Sequence, residues 1–97
     1  MNIGACKVRL RLPENETLKG KRQVLKSITE RVKHRFNVSI AEVDDHDLWQ
    51  LVTLGITCVS TSQQHANEML SKVVDFIEKS RFDAELLDYE VEIIHAL

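Results

Sequence analysis

Residues 4–12 alternate between apolar and charged side chains. Cys6, Val8, Leu10 and Leu12 share one parity; Lys7, Arg9 and Arg11 share the other. Successive strand side chains point to opposite faces, so this run predicts a half-buried strand. Pro13 cannot donate to a ladder and closes it. The period then lengthens. Leu18, Leu25, Ile28 and Val32 recur at intervals of 7, 3 and 4, with Val24 and Phe36 beside them. That stripe predicts a helix from about Leu18 to Phe36, with Thr17 as its N-cap. Gly20, in its first turn, is expected to weaken it by up to about 1 kcal/mol relative to Ala.

A second strand is expected from Asn37 to Val43, although both parities there carry apolar residues. The polar run Asp44-Asp45-His46-Asp47 turns the chain, and Asp47 is expected to cap a short helical turn through Leu48 and Trp49. The third strand runs from about Leu51 to Ser60. Val52, Leu54, Ile56 and Cys58 form its core face; Leu51, Thr53, Gly55, Thr57 and Val59 form the other. A second helix spans about Gln63 to Ser80, capped by Ser62 or Thr61, and buries Ala66, Leu70, Val73 and Ile77. The last strand spans Leu86 to Ile94. Leu87, Tyr89, Val91 and Ile93 are expected inward; Asp88, Glu90 and Glu92 are expected outward.

The order is β-α-β-β-α-β. With right-handed crossovers it predicts the α+β, ferredoxin-like arrangement, a four-stranded antiparallel sheet in the order 4-1-3-2 with both helices on one face. The 97 residues suffice for one such core, so residues 1–97 are read as a single domain. Apolar residues at 43% and charged residues at 29% suit a folded soluble chain. No run reaches the roughly 18 apolar residues of a membrane span. No basic flank precedes an apolar run at Met1-Asn2-Ile3-Gly4, so no secretory signal is expected. Two cysteines inside strands read as buried thiols in a reducing compartment.

Net charge is −2, which excludes attachment to nucleic acid by bulk charge. The distribution is uneven. Residues 1–36 hold ten Lys/Arg against three Asp/Glu; residues 37–97 hold three against twelve. Part of this segregation lies on the sheet. Neighbouring strands 1 and 4 would set Lys7, Arg9 and Arg11 against Asp88, Glu90 and Glu92, with Arg9 reaching Glu90 or Glu92. The rest lies on helix 1. Lys19, Arg22, Lys26 and Lys33 repeat at 3, 4 and 7 on one stripe, flanked by Lys21, Arg31 and Arg35. Such a stripe is either a solvated helix face or a phosphate contact. Lys19, Lys21, Arg22, Lys26 and Lys33 are therefore the RNA-contact candidates.

Other chemistries find less support. The consecutive acids of Asp44–Asp47 lack the alternate oxygens and glycine of a hard-ion loop, and His34, His65 and His95 are scattered, so no metal or other cofactor is expected. No serine sits in a nucleophile motif, and Gly4, Gly20 and Gly55 are isolated, so no catalytic residue is assigned. The loop Pro-Glu-Asn-Glu-Thr is too acidic for the phosphate cradle of acylphosphatases, which share this topology. The outward sheet positions carry no aromatic on which to stack a base. Trp49, Leu51 and Val59 are candidates for a self-association or partner surface.

Several segments carry a resemblance: Gly-Ala-Cys-Lys-Val, Leu-Lys-Gly-Lys-Arg, Val-Leu-Lys-Ser, Arg-Phe-Asn-Val-Ser-Ile-Ala-Glu-Val, Asp-Leu-Trp-Gln and Leu-Gly-Ile. Across nearly the whole chain the sequence resembles the YlxP-like family of small bacterial proteins. The resemblance implies a ferredoxin-like fold and a cytoplasmic setting, with genes often beside those for translation initiation and ribosome maturation. It carries over no activity and no catalytic residue. Two functions are expected to compete. One is a non-enzymatic accessory domain touching RNA or a ribosome-associated protein through helix 1. The other is a homodimeric interaction or regulatory module using the open sheet face.

Overall fold

The computed structural model describes residues 1–80 and 82–97. The elements follow in the order β1 (Asn2–Arg11), α1 (Leu18–Arg35), β2 (Ser39–Asp44), β3 (Leu51–Ser60), α2 (Gln63–Lys79) and β4 (Glu85–His95). The sheet is antiparallel in the order β2-β3-β1-β4, the expected 4-1-3-2 read from the other edge. β1 is central, between β3 and β4, and its alternation turns Cys6, Val8 and Leu10 to the core. Val8, Leu10 and Leu12 are buried there, against Val52, Leu54 and Ile56 of β3. Ile28 and Val32 of α1 and Ala66, Leu70, Val73 and Ile77 of α2 close the core from the helix side.

Thr17 caps α1, its hydroxyl accepting from the Gly20 amide at 2.9 Å, and Ser62 caps α2, accepting from the His65 amide at 3.1 Å. Gly20 has a local cause. A Cβ there would collide with Oδ1 of Asn15, whose amide nitrogen donates to the carbonyls of Thr17 and Trp49. Glycine leaves room for that side chain, which a Cβ would have to displace from its hydrogen bonds, and the loss of helix propensity is what it costs. Cys6 and Cys58 are free, buried thiols. Burial pushes the Cys6 thiol from the ordinary 9.0 up to about 11.

Three expectations need correction. β2 begins at Ser39 rather than Asn37: Phe36 is the extended C-cap of α1, its amide bonded to the Val32 carbonyl at 2.8 Å, and residues 36–38 connect the two elements without joining the sheet. No helical turn forms at Leu48 and Trp49. Asp45 instead takes a left-handed conformation (φ 59°) and its carbonyl receives the Leu48 amide at 3.1 Å. In β4, Leu86 rather than Leu87 opposes core residue Leu10. The register shifts between Arg9 and Leu10, so Arg9 pairs with Asp88 and Leu87 becomes the extra, exposed residue of a bulge. Beyond it the expected alternation resumes. Val91 and Ile93 pack against the core, whereas Tyr89, on the edge strand, stays half-exposed.

Among the described residues, no helix is long and apolar enough to cross a membrane.

Candidate nucleic-acid interface

The cations of α1 separate into three groups. Lys21 occupies the same stripe as Leu25, Ile28 and Val32 and is 1% exposed. Its ammonium lies 2.8 Å from Oε2 of Glu42 on β2 and donates to the carbonyls of Asp45 at 2.6 Å and Leu48 at 2.7 Å. Lys21 is therefore not an RNA contact. Its charge is spent inside the protein, fastening α1 to the β2–β3 loop, and a buried ammonium is tolerated only because it is paired and hydrogen-bonded.

Arg31 and Arg35 turn towards α2. The Arg31 guanidinium lies 4.6 Å from the Phe82 ring centroid and 5.6 Å from that of Phe76; Arg35 lies 5.2 Å from Phe76. Phe36, Phe76 and Phe82 meet edge to face beneath them. Cations in the last turn of α1 also complement its dipole.

Lys19, Arg22, Lys26 and Lys33 remain, all exposed. At 3.6 residues per turn they lie on the flank of α1 opposite the one that Arg31 and Arg35 turn to α2. Lys26 has a carboxylate at 4.0 Å, that of Glu30 one turn on. Among the described residues, Lys19, Arg22 and Lys33 have no acidic partner within that distance.

The basic column on β1 is different. Arg9 meets Asp88 at 3.0 Å, Arg11 meets Glu85 at 3.4 Å, and Lys7 stands directly opposite Glu90. Strands 1 and 4 are neighbours, as the 4-1-3-2 order predicts. The partner of Arg9 is Asp88 rather than the expected Glu90 or Glu92, since the alternation places Asp88 directly beside it just before the bulge.

The three interface candidates do not form one patch. Leu51 and Val59 share the open face but sit at opposite ends of β3, pairing with Arg11 and Ile3. Trp49 lies in the β2–β3 loop, 53% exposed, beside a shallow hollow of about 450 Å³ lined by Asp47 to Leu51. Its backbone is tightly held: Asn15 donates to the Trp49 carbonyl, Gln50 donates to that of Asn15 at 3.1 Å, and the Leu12 amide donates to that of Gln50 at 2.8 Å. The acids of this loop are used locally, with the Thr53 hydroxyl donating to Asp45 Oδ2 at 2.7 Å. No group of three or more His, Cys, Asp or Glu suited to a metal ion occurs among the described residues.

Of the two residues that build this corner, Asn15 escaped the reading from sequence and Lys21 was placed among the RNA contacts. For Lys21 the signal was present, since it sits three residues after Leu18 and four before Leu25, inside the apolar stripe. For Asn15 there was none, because the partners that tie it to this corner, Trp49 and Gln50, lie 34 and 35 residues away.

The fold and its uneven cationic surface define a small ferredoxin-like α+β domain. The de novo designed protein Foldit4 has the same fold, with a TM-score of 0.53 at 18% identity, covering 98% of this chain and 99% of its own. Residues 3–91 match the family described as protein of unknown function (DUF503), and the chain belongs to that family. It is 45% identical over 62 residues to the uncharacterized protein YlxP of Bacillus subtilis (strain 168), covering 64% of this chain and 67% of that protein.

Proposed function

We propose that the protein is a non-enzymatic accessory domain that holds RNA, free or within a ribonucleoprotein, through the outer flank of α1. The observation that carries this reading is a contrast between two basic surfaces. On β1, Arg9 and Arg11 make ion pairs and Lys7 stands beside Glu90 on the neighbouring strand, whereas Lys19, Arg22 and Lys33 face solvent without an acidic partner among the described residues. Cations left free on a helix face neutralise phosphates and release counterions, without reading base sequence. Lys21 contributes by fixing the first turns of α1, not by touching the ligand.

The test is the double variant Arg22→Glu/Lys26→Glu, with its fold confirmed by circular dichroism and its binding to structured RNA measured at low salt. Wild-type binding with loss in the variant is expected. Equal binding by both, or no binding by the wild type, would overturn the reading.

A further inference from the structure

The sheet face away from the helices is open over β1 and β4, and its charges there are ordered by strand. One column on β1 carries Lys7, Arg9 and Arg11. Beside it, at matching heights on β4, stand Glu90, Asp88 and Glu85. At the end of the same face Ile3 pairs with both Ile94 and Val59, forming an apolar row; Val59 is 68% exposed. We infer that this face binds a second copy of the chain, β1 of each copy lying over β4 of the other.

Symmetry selects that arrangement. A two-fold axis parallel to the strands, between β1 and β4, exchanges the two columns and preserves height along them. Lys7 then faces Glu90 of the second copy, Arg9 faces its Asp88 and Arg11 faces its Glu85, while Ile3 faces its Ile94. Four of the five rows are matched across this isologous contact; in the fifth, Ala5 faces Glu92. An axis across the strands sets β1 over β1 and cation over cation, which like-charge repulsion rejects. The pairs within one chain leave capacity for this. Arg9 engages Asp88 through a single nitrogen at 3.0 Å, and a guanidinium carries further donors. Two strands about 4.8 Å apart and about ten residues long give a footprint of roughly 300–400 Å² per copy, smaller than a stable specific interface, so the contact is a transient one. The dimer is therefore salt-sensitive and forms at high concentration. Its helices lie outside, so it stands independently of the RNA reading.

The test uses two variants, an acid-faced chain (Lys7→Glu/Arg9→Glu) and a base-faced chain (Asp88→Lys/Glu90→Lys). Sedimentation velocity at low salt should show the wild type self-associating and each variant alone monomeric. An equimolar mixture should form a one-to-one heterodimer about tenfold tighter or more than either homodimer, since all its columns are then matched. Should a variant fail to fold, amide spectra of the wild type at rising concentration decide the matter, with shifts expected at Lys7, Arg9, Asp88 and Glu90. A wild type monomeric at every concentration, variants that associate as the wild type does, or shifts confined elsewhere would overturn the inference; the first result leaves the face to a different protein of matching charge.

Discussion

Single side chains decide what α1 can offer a ligand. Lys21 is the sharpest case, with an ammonium that is wholly enclosed and a partner carboxylate that is mostly so. Removing one member of such a pair strands the other, so Lys21→Ala should lower unfolding stability by roughly 3–5 kcal/mol. Pairing Lys21→Met with Glu42→Leu should recover most of that, as read by chemical denaturation. A cost below about 1 kcal/mol for Lys21→Ala would contradict the role given to it. Gly20 reverses a propensity rule. Gly20→Ala in an exposed helix would gain up to about 1 kcal/mol, yet here it should destabilise, because the new methyl displaces Asn15. Cys6 gives a pH signature. Its thiol is raised in the folded state, so between about 9 and 11 the native chain holds a proton that the unfolded chain has lost. Stability should therefore fall with rising pH across that window and be unaffected by Cys6 below it. Cys6→Ala should flatten this part of the stability profile.

Elements divided sharply by how openly their sequence states them. The strict alternation of β1 and the two-parity pattern of β3 placed their core faces correctly, because residues buried on one side only must alternate. Truncating Leu54, fully buried on β3, to Ala should cost roughly 2–5 kcal/mol. The bulge opposite Arg9 was not legible, since an extra residue in β4 is defined by its pairing with β1 and not by its own pattern. The loop after β2 was misread for a related reason. Its acids suggested a cap, while the donor that organises it, Lys21, lies 24 residues upstream of Asp45. The β1–β4 charge ladder was legible in kind, though not in the identity of each pair. Because Arg9 and Asp88 are half-exposed, a double-mutant cycle between them should return a coupling under about 1 kcal/mol.

On the scale of the whole molecule, the separation of ten cations in residues 1–36 from twelve acids in residues 37–97 is mostly settled internally. The sheet pairs its charges across strands, Lys21 is enclosed, and Arg31 and Arg35 rest on phenyl rings. Among the described residues, the flank bearing Lys19, Arg22, Lys26 and Lys33 is where a group of cations faces outward with the least compensation. The measurement that bears most directly on this is the salt dependence of RNA affinity for two single variants beside the wild type. Arg22→Ala should reduce the slope of log affinity against log salt by about 0.7–0.9, one phosphate contact, while Arg9→Ala leaves it unchanged. Equal slopes for Arg22→Ala and the wild type, or a loss for Arg9→Ala as large as for Arg22→Ala, would contradict the assignment of the RNA surface to α1.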